Sequence, residues 1–288
     1  KAGATNLMMG LLEEGTGDLD SRGFARAVES LATSFTYRAH RDSVAVSARF
    51  LTANRDASID LLRRSLVEPA FPQEALDRVR GQVMSSINSD ATDPDAIASN
   101  TFNELAFGSH PYGTRKDGTA ETVAALTRED ISAAHQGALA KDRMFIGVVG
   151  DITEDDLGAL LDDLLGGLPD TGAPVPDRAA VLLSGGTTVV PFDTPQSVAV
   201  FGQQGLKRDD PDFFAAYLLN QILGGSGFDS RLMREVREKR GLTYGVYSYL
   251  VPMDLAELYM GRVSSANDRI AQAVDVIRAE WARLAADG

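Results

Sequence analysis

The 288-residue chain reads as an α+β protein of two homologous domains, each an antiparallel-rich sheet with helices packed on it. Three observations carry that reading. Apolar residues recur at helical spacing in some stretches and alternate in others, with turn residues between them. Proline and glycine crowd 168–195 (Pro169, Pro174, Pro176, Pro191 and Pro195 with Gly172, Gly185 and Gly186), which marks a linker between domains at 1–167 and 196–288. The second part also repeats the first: Asp20-Ser21-Arg22 returns as Asp229-Ser230-Arg231, 209 residues later, and Phe35 falls opposite Tyr244 at the same offset. Ala53-Asn54 returns as Ala266-Asn267, again opening an amphipathic stretch.

Taken in order, Leu7, Met8, Leu11 and Leu12 place a helix over 4–14, closed by Gly15. Asp20 and Ser21 cap a second, with Phe24, Val28 and Leu31 inward. Val44, Val46, Ala48 and Phe50 alternate with small or charged residues, as a half-buried strand does. Asn54 or Asp56 starts a helix with Ile59, Leu62 and Leu66 inward, ended at Glu68-Pro69. Further helices fall at 73–88 and 94–107, the second with proline in its first turn. Thr127 and Asp130 form a capping box, 144–149 reads as a short apolar strand, and Thr153 starts a helix closed by Gly166-Gly167. One or two strands end the linker, Val198 and Val200 open the second domain, and Asp210-Pro211 leads a helix to Leu223.

The bulk numbers set limits. At 44% hydrophobic and 24% charged the composition is globular, and no apolar run reaches the roughly 18 residues of a membrane span. A net charge of −13 speaks against nucleic acid and suits peptides with some positive charge. With no cysteine, disulfides and thiolate metal sites are excluded.

Chemistry concentrates in 224–249. Gly224, Gly225 and Gly227 form a turn, which reads either as a plain turn or as a cradle for a substrate backbone. Asp229 or Ser230 then caps a short helix bearing Arg231, Arg234, Arg237, Lys239 and Arg240 against Glu235 and Glu238. Gly241 ends it, and a β-branched and aromatic strand begins at Thr243 and Tyr244. Basic residues late in a helix suit its dipole, so Arg231, Lys239 and Arg240 read as a solvated face. Arg237 and Tyr244 stand out because their donors could meet one substrate carbonyl. Elsewhere the signals are negative. His40, His110 and His135 lie far apart with no second ligand at helical spacing, and His110 reads as part of a rigid turn. Gly225-Ser226-Gly227 lacks the strand of a serine elbow, and no Gly-Lys-Ser/Thr follows the glycines.

Ser230-Arg231-Leu232 followed by Val236-Arg237-Glu238-Lys239-Arg240-Gly241-Leu242-Thr243-Tyr244 resembles the second-domain signature of the inverzincin peptidases, the family of pitrilysin, insulin-degrading enzyme and mitochondrial processing peptidase. The resemblance continues through 11–16, 54–71 and the His110-Pro111-Tyr112-Gly113 turn. It implies paired homologous α+β domains, half of a clamshell that closes on an unfolded peptide. It also implies a zinc motif, H-x-x-E-H, on the first helix, where this chain reads Asn6-Leu7-Met8-Met9-Gly10. The distal glutamate ligand falls among Ser85, Ser86 and Ile87. The expectation is therefore no metal or other cofactor in this chain and no zinc-dependent hydrolysis by it alone.

What the resemblance leaves is Arg237 and Tyr244 as catalytic residues, with Gly224 and Gly225 on the substrate side. In the mechanism it implies, a partner's zinc-bound water attacks the scissile carbonyl while this arginine and tyrosine donate to the oxygen that gains charge. The implied partner is a homologous H-x-x-E-H subunit carrying the zinc, and the implied substrate a peptide or unfolded polypeptide. The alternative is a catalytically inert structural or peptide-binding scaffold of the same fold. Homodimerisation of the isolated chain is left open. Bacterial periplasm and cytoplasm both fit, with the periplasm preferred. The chain opens at Lys1 in a helix and stops before counterparts of 73–107, so it is expected to be truncated at both ends.

Overall fold

The computed structural model describes residues 1–225 and 227–287; Ser226, of the dismissed serine elbow, and Gly288 lie outside the described residues. In chain order the elements are α1 (Ala4–Met9), β1 (Gly15–Thr16), β2 (Leu19–Asp20), α2 (Ser21–Ser30), β3 (Ser34–Ala39), β4 (Val44–Arg49), α3 (Arg55–Val67), α4 (Gln73–Asp90) and α5 (Pro94–Phe107). Then come α6 (Ala120–Ala124), α7 (Arg128–Ala138), α8 (Glu154–Leu165), β5 (Gln196–Gln204), α9 (Phe213–Leu223), β6 (Val246–Pro252), β7 (Glu257–Ala266) and α10 (Ile270–Asp287). The helix starts follow the sequence closely. Asp20 accepts the Gly23 amide at 2.7 Å to cap α2, and Thr127 and Asp130 form the reciprocal box of α7. No helix among the described residues is long and apolar enough to cross a membrane.

The chain divides into two compact units. The first comprises Lys1–Asn88 and Arg115–Val175. Its centre is α1 and the turns after it, with Leu7, Met8, Leu11 and Leu12 fully buried against α7, β3, α3 and α4. β3 and β4 pair antiparallel from Ser34↔Arg49 to Ala39↔Val44, one face of each strand half-buried and the other in water.

The second unit comprises Ser89–Thr114 and Pro176–Gly288. Its sheet runs β5-β7-β6, all antiparallel, with β7 in the middle. Because side chains alternate along a strand, Val246 and Val263 face one side and Leu258 and Met260 the other. α9 and α10 fill the first side with Leu223, Ala273 and Ile277; α5 fills the second with Phe102 and Phe107.

Four expectations change. α5 and the 111–113 turn, assigned by sequence to the first domain, pack in the second unit, because Phe102, Phe107 and Tyr112 bury against Leu258 and Met260. The stretch 168–195 is no free linker and holds no strand among the described residues. Leu168 is buried in the first core, while Ala179 and Leu182 donate backbone bonds to Leu255 and Ala106 in the second unit. The expected strand at 144–149 has no ladder partner, leaving Phe145 and Val149 fully exposed. Finally, β6 starts at Val246 rather than Thr243, because the Thr243 hydroxyl closes a tight turn, accepting the Gly245 amide at 3.0 Å and donating to Ser264 O at 2.6 Å.

Candidate functional site

The end of α9 builds one wall of the site. The amides of Gly224 and Gly225 both donate to Asn220 O at 2.8 Å, and Gly224 O accepts the Ser248 amide at 2.8 Å, stitching the loop to the edge strand β6. Both glycines are buried. A Cβ on Gly224 would run into Ser248 Oγ and sit 2.9 Å from Leu232 Cδ1, so only glycine allows this approach. The cradle role expected for Gly224 and Gly225 therefore loses both of its amides.

The basic helix follows. Ser230 Oγ accepts the Met233 amide at 3.3 Å as its cap, with Leu232, Met233 and Val236 inward. Over Met233–Glu238 the helix widens to π geometry, with Lys239 N bonding Arg234 O at 3.0 Å. Gly241 then takes φ 61°, donating to Arg237 O at 2.8 Å, while Leu242 N reaches Val236 O at 3.0 Å. This is a left-handed glycine cap that turns the chain sharply toward β6. Arg237 and Tyr244 thus sit on either side of one rigid corner.

Their side chains differ in surroundings. The Arg237 guanidinium is half-buried, has no carboxylate partner among the described residues, and lies 4.8 Å from the ring centre of Phe228. Tyr244 is 87% exposed. Among the described contacts the two do not touch each other. Phe228, the platform under Arg237, went unnoticed in the sequence; an aromatic residue inside a glycine turn was the available signal. The other cations are occupied. Lys239 and Arg240 reach Glu235 at 2.6 and 2.7 Å and hold its carboxyl well below the usual range, at about 2. Arg231 faces the buried Glu280 at 3.6 Å, so it is no simple solvated residue. Tyr247 and Tyr249 point outward, alternating with buried Val246 and Ser248.

The stretch where the resemblance implies a zinc motif lies in the first unit. Asn6 and Gly10 share one face of α1 at i, i+4 spacing, and Met9 is buried beside them. A carboxamide, a hydrogen and a thioether do not fit a site that asks for imidazole and carboxylate ligands. Ser85 and Ser86 stand exposed on α4, and no group of three or more His, Asp or Glu able to hold a metal occurs among the described residues. Two of the three histidines serve elsewhere. His110 Nδ1 accepts the Tyr112 amide at 3.1 Å, as a turn residue does. His135 is buried against Leu66 O at 2.7 Å, and that burial lowers its pKa.

Comparison with known proteins matches residues 125–288 to the family described as "Peptidase M16 inactive domain" and residues 1–115 to "Insulinase (Peptidase family M16)". An uncharacterized zinc protease of Streptomyces coelicolor is 29% identical over 258 residues, covering 86% of this chain and 55% of that protein. A non-peptidase homolog of Helicobacter pylori is 27% identical, with 85% of this chain and 57% of that protein covered. The chain thus spans little more than half the length of these two relatives. The crystal structure of a peptidase M16 inactive domain from Pseudomonas fluorescens is 30% identical with a TM-score of 0.91, over 100% of this chain and 70% of that one. A protease of Helicobacter pylori shares the fold alone, at 19% identity and a TM-score of 0.83, over 98% of this chain and 70% of that one.

Proposed function

The chain belongs to the M16 peptidase family as an inactive-type member, and from that premise we propose that it is the zinc-less subunit of a two-chain peptidase, clamping peptide substrate and stabilising the reacting carbonyl. The metal and its water would belong to a homologous partner that carries H-x-x-E-H. This chain's part is hydrogen-bond donation. A guanidinium and a phenol offered to an oxygen that gains negative charge favour the transition state over the ground state.

The observation that carries the reading is the contrast between the two motifs. The metal position has lost every ligand, yet the corner that presents Arg237 and Tyr244 is intact and neither side chain is spent on an internal ion pair or hydrogen bond among the described residues. A pure scaffold has no use for that corner. Phe228 supports the same reading, since stacking on one face of the guanidinium leaves its N–H edge free to donate.

The test is reconstitution with a homologous zinc-bearing subunit. Arg237→Ala and Tyr244→Phe should each lower turnover by about 10²–10³, the typical cost of losing one oxyanion donor. Unchanged rates with both variants would remove the catalytic assignment and favour the inert scaffold.

A further inference from the structure

β5 and β6 are the two edges of the second unit's sheet, and they are guarded differently. Along β6 the Ser248 amide is taken by Gly224 O at 2.8 Å, and the strand ends in Pro252, which has no N–H to offer a neighbour. β5 is longer, nine residues from Gln196 to Gln204, and carries no charge, no proline and no bulge in its ladder with β7. Helices α5 and α10 pack on it, yet none of its residues is fully buried. An uncharged, regular edge of this length is a template for another strand.

The groups on that outer edge follow from the register. Gly205 N donates to Glu257 O at 3.1 Å, in step with the β5–β7 pairing. Bonding residues alternate along an antiparallel ladder, so the odd-numbered residues of β5 bond β7. The N–H and C=O of Gln196, Val198, Val200, Gly202 and Gln204 point the other way, and none has a partner among the described hydrogen bonds. This set is symmetric about Val200. So are the nearest charges in the chain: Asp193 and Lys207 stand equally far from Val200, one on each side. Both are exposed, and neither is in an ion pair among the described residues.

We propose that the outer edge of β5 pairs antiparallel with β5 of a second copy of this chain, about a two-fold axis at Val200, joining the two sheets into one. In that register Gln196 of one copy meets Gln204 of the other, Val198 meets Gly202 and Val200 meets Val200, giving about ten backbone hydrogen bonds. A slip of two residues loses one of these pairs, and a slip of one turns the bonding groups away from each other. The same register sets Asp193 of each copy opposite Lys207 of the other, at both ends of the pair. Any uncharged strand would satisfy the backbone, but a second copy also brings opposite charges at matching distances. The pairing goes beyond the function proposed above. Arg237 and Tyr244 lie on the corner that leads into β6, the opposite edge of the sheet, and β5 pairing leaves that corner uncovered.

Sedimentation equilibrium of the full 288-residue chain tests this. At about 100 μM, where dissociation constants up to that order show, the chain should be largely dimeric. Asp193→Lys and Lys207→Asp each put like charges at both ends of the pair. Each variant alone should dimerise about tenfold more weakly, with the difference shrinking in added salt. Both sites are exposed, so the variants should keep the unfolding midpoint of the unsubstituted monomer. Mixing the two single variants restores opposite charges at both ends of a mixed dimer, whose affinity should return to that of the unsubstituted chain. The double variant Asp193→Lys, Lys207→Asp should pair with itself equally well. A monomer at that concentration, a dimer indifferent to the single changes, or a mixture no tighter than either variant alone overturns the proposal. Failure of the Arg237 assignment reads out separately, in turnover of the reconstituted complex.

Discussion

Shifted by 209 residues, α1 falls on the first half of α9, and the two helices meet opposite surroundings. Met9 is 1% exposed; its counterpart Leu218 is 63% exposed. Along α9, Phe214, Tyr217, Leu219 and Ile222 are exposed as well. In the first unit α1 is covered by α3, α4 and α7. Repetition of a sequence pattern thus carries over an element and its register but not its burial. The two motifs follow the same division. The helix buried on its inner side carries Asn6, Met9 and Gly10, and the corner after the basic helix leaves Tyr244 in water and Arg237 half-buried.

The largest expected effect tests this contrast directly. Met9→Ala should destabilise the first unit by about 2–5 kcal/mol, the usual cost of emptying a buried methionine site. Leu218→Ala, at the shifted position, should stay within about 0.5 kcal/mol. Denaturant midpoints of the two variants measure both. An equal loss would mean that the outer face of α9 is covered in solution and would break the comparison.

A smaller effect sharpens it. The inner end of α9 is tightly packed although its outer face is bare. Ser248 Oγ, beside Gly224, holds Asn220 Oδ1 at 2.8 Å and accepts the Tyr259 hydroxyl at 3.0 Å. Gly224→Ala pushes a methyl into this group and into Leu232. The expected cost is about 1–3 kcal/mol, typical of overpacking. A midpoint equal to that of the unsubstituted chain would show that the loop can shift away, and that its bonds to Asn220 are not a fixed wall of the site.

Much of this was legible in the sequence because the signals are local. The caps at Asp20, Thr127 and Thr153, the proline opening α5, and Gly241 at φ 61° each depend on a few neighbouring residues. What was not legible depends on distant partners. α5 carries the same amphipathic pattern whichever sheet it covers, so its pattern could not reveal that Phe102 packs on Leu258 and Met260. The apolar run at 144–149 has the composition of a strand, but a strand also needs a neighbour to bond. At the candidate site, Arg237 and Tyr244 were singled out by spacing and motif. Phe228 was not, since stacking across nine residues leaves no periodic trace. Nor could spacing reveal that the Gly224 and Gly225 amides are taken up by Asn220.

The smallest effect concerns how firmly the donor corner is held. Lys239 and Arg240 both bind Glu235, and Arg240 also donates to Glu235 O at 2.7 Å, clamping the last turn of the helix that carries Arg237. These two charges, through hydrogen bonds first and field second, lower the Glu235 carboxyl to about 2. A carboxyl depressed on folding stabilises the native state fully above its ordinary unfolded value, and that contribution fades as pH falls toward 2. Because both cations reach into solvent, each pair is worth only about 0.2–1 kcal/mol. Glu235→Gln should therefore cost about 1 kcal/mol near neutral pH and nothing at the acid end of that window. The unfolding midpoint of the unsubstituted chain, followed from neutral pH downward against that of the variant, should converge on it below the ordinary glutamate range. α1 has no comparable ion-pair clamp among the described residues, being held by apolar burial, so Met9→Ala should show the same deficit at every pH where the first unit folds. A Glu235→Gln deficit that stays constant as pH falls would mean that the carboxylate's charge contributes nothing, and that the corner is held by packing, as α1 is.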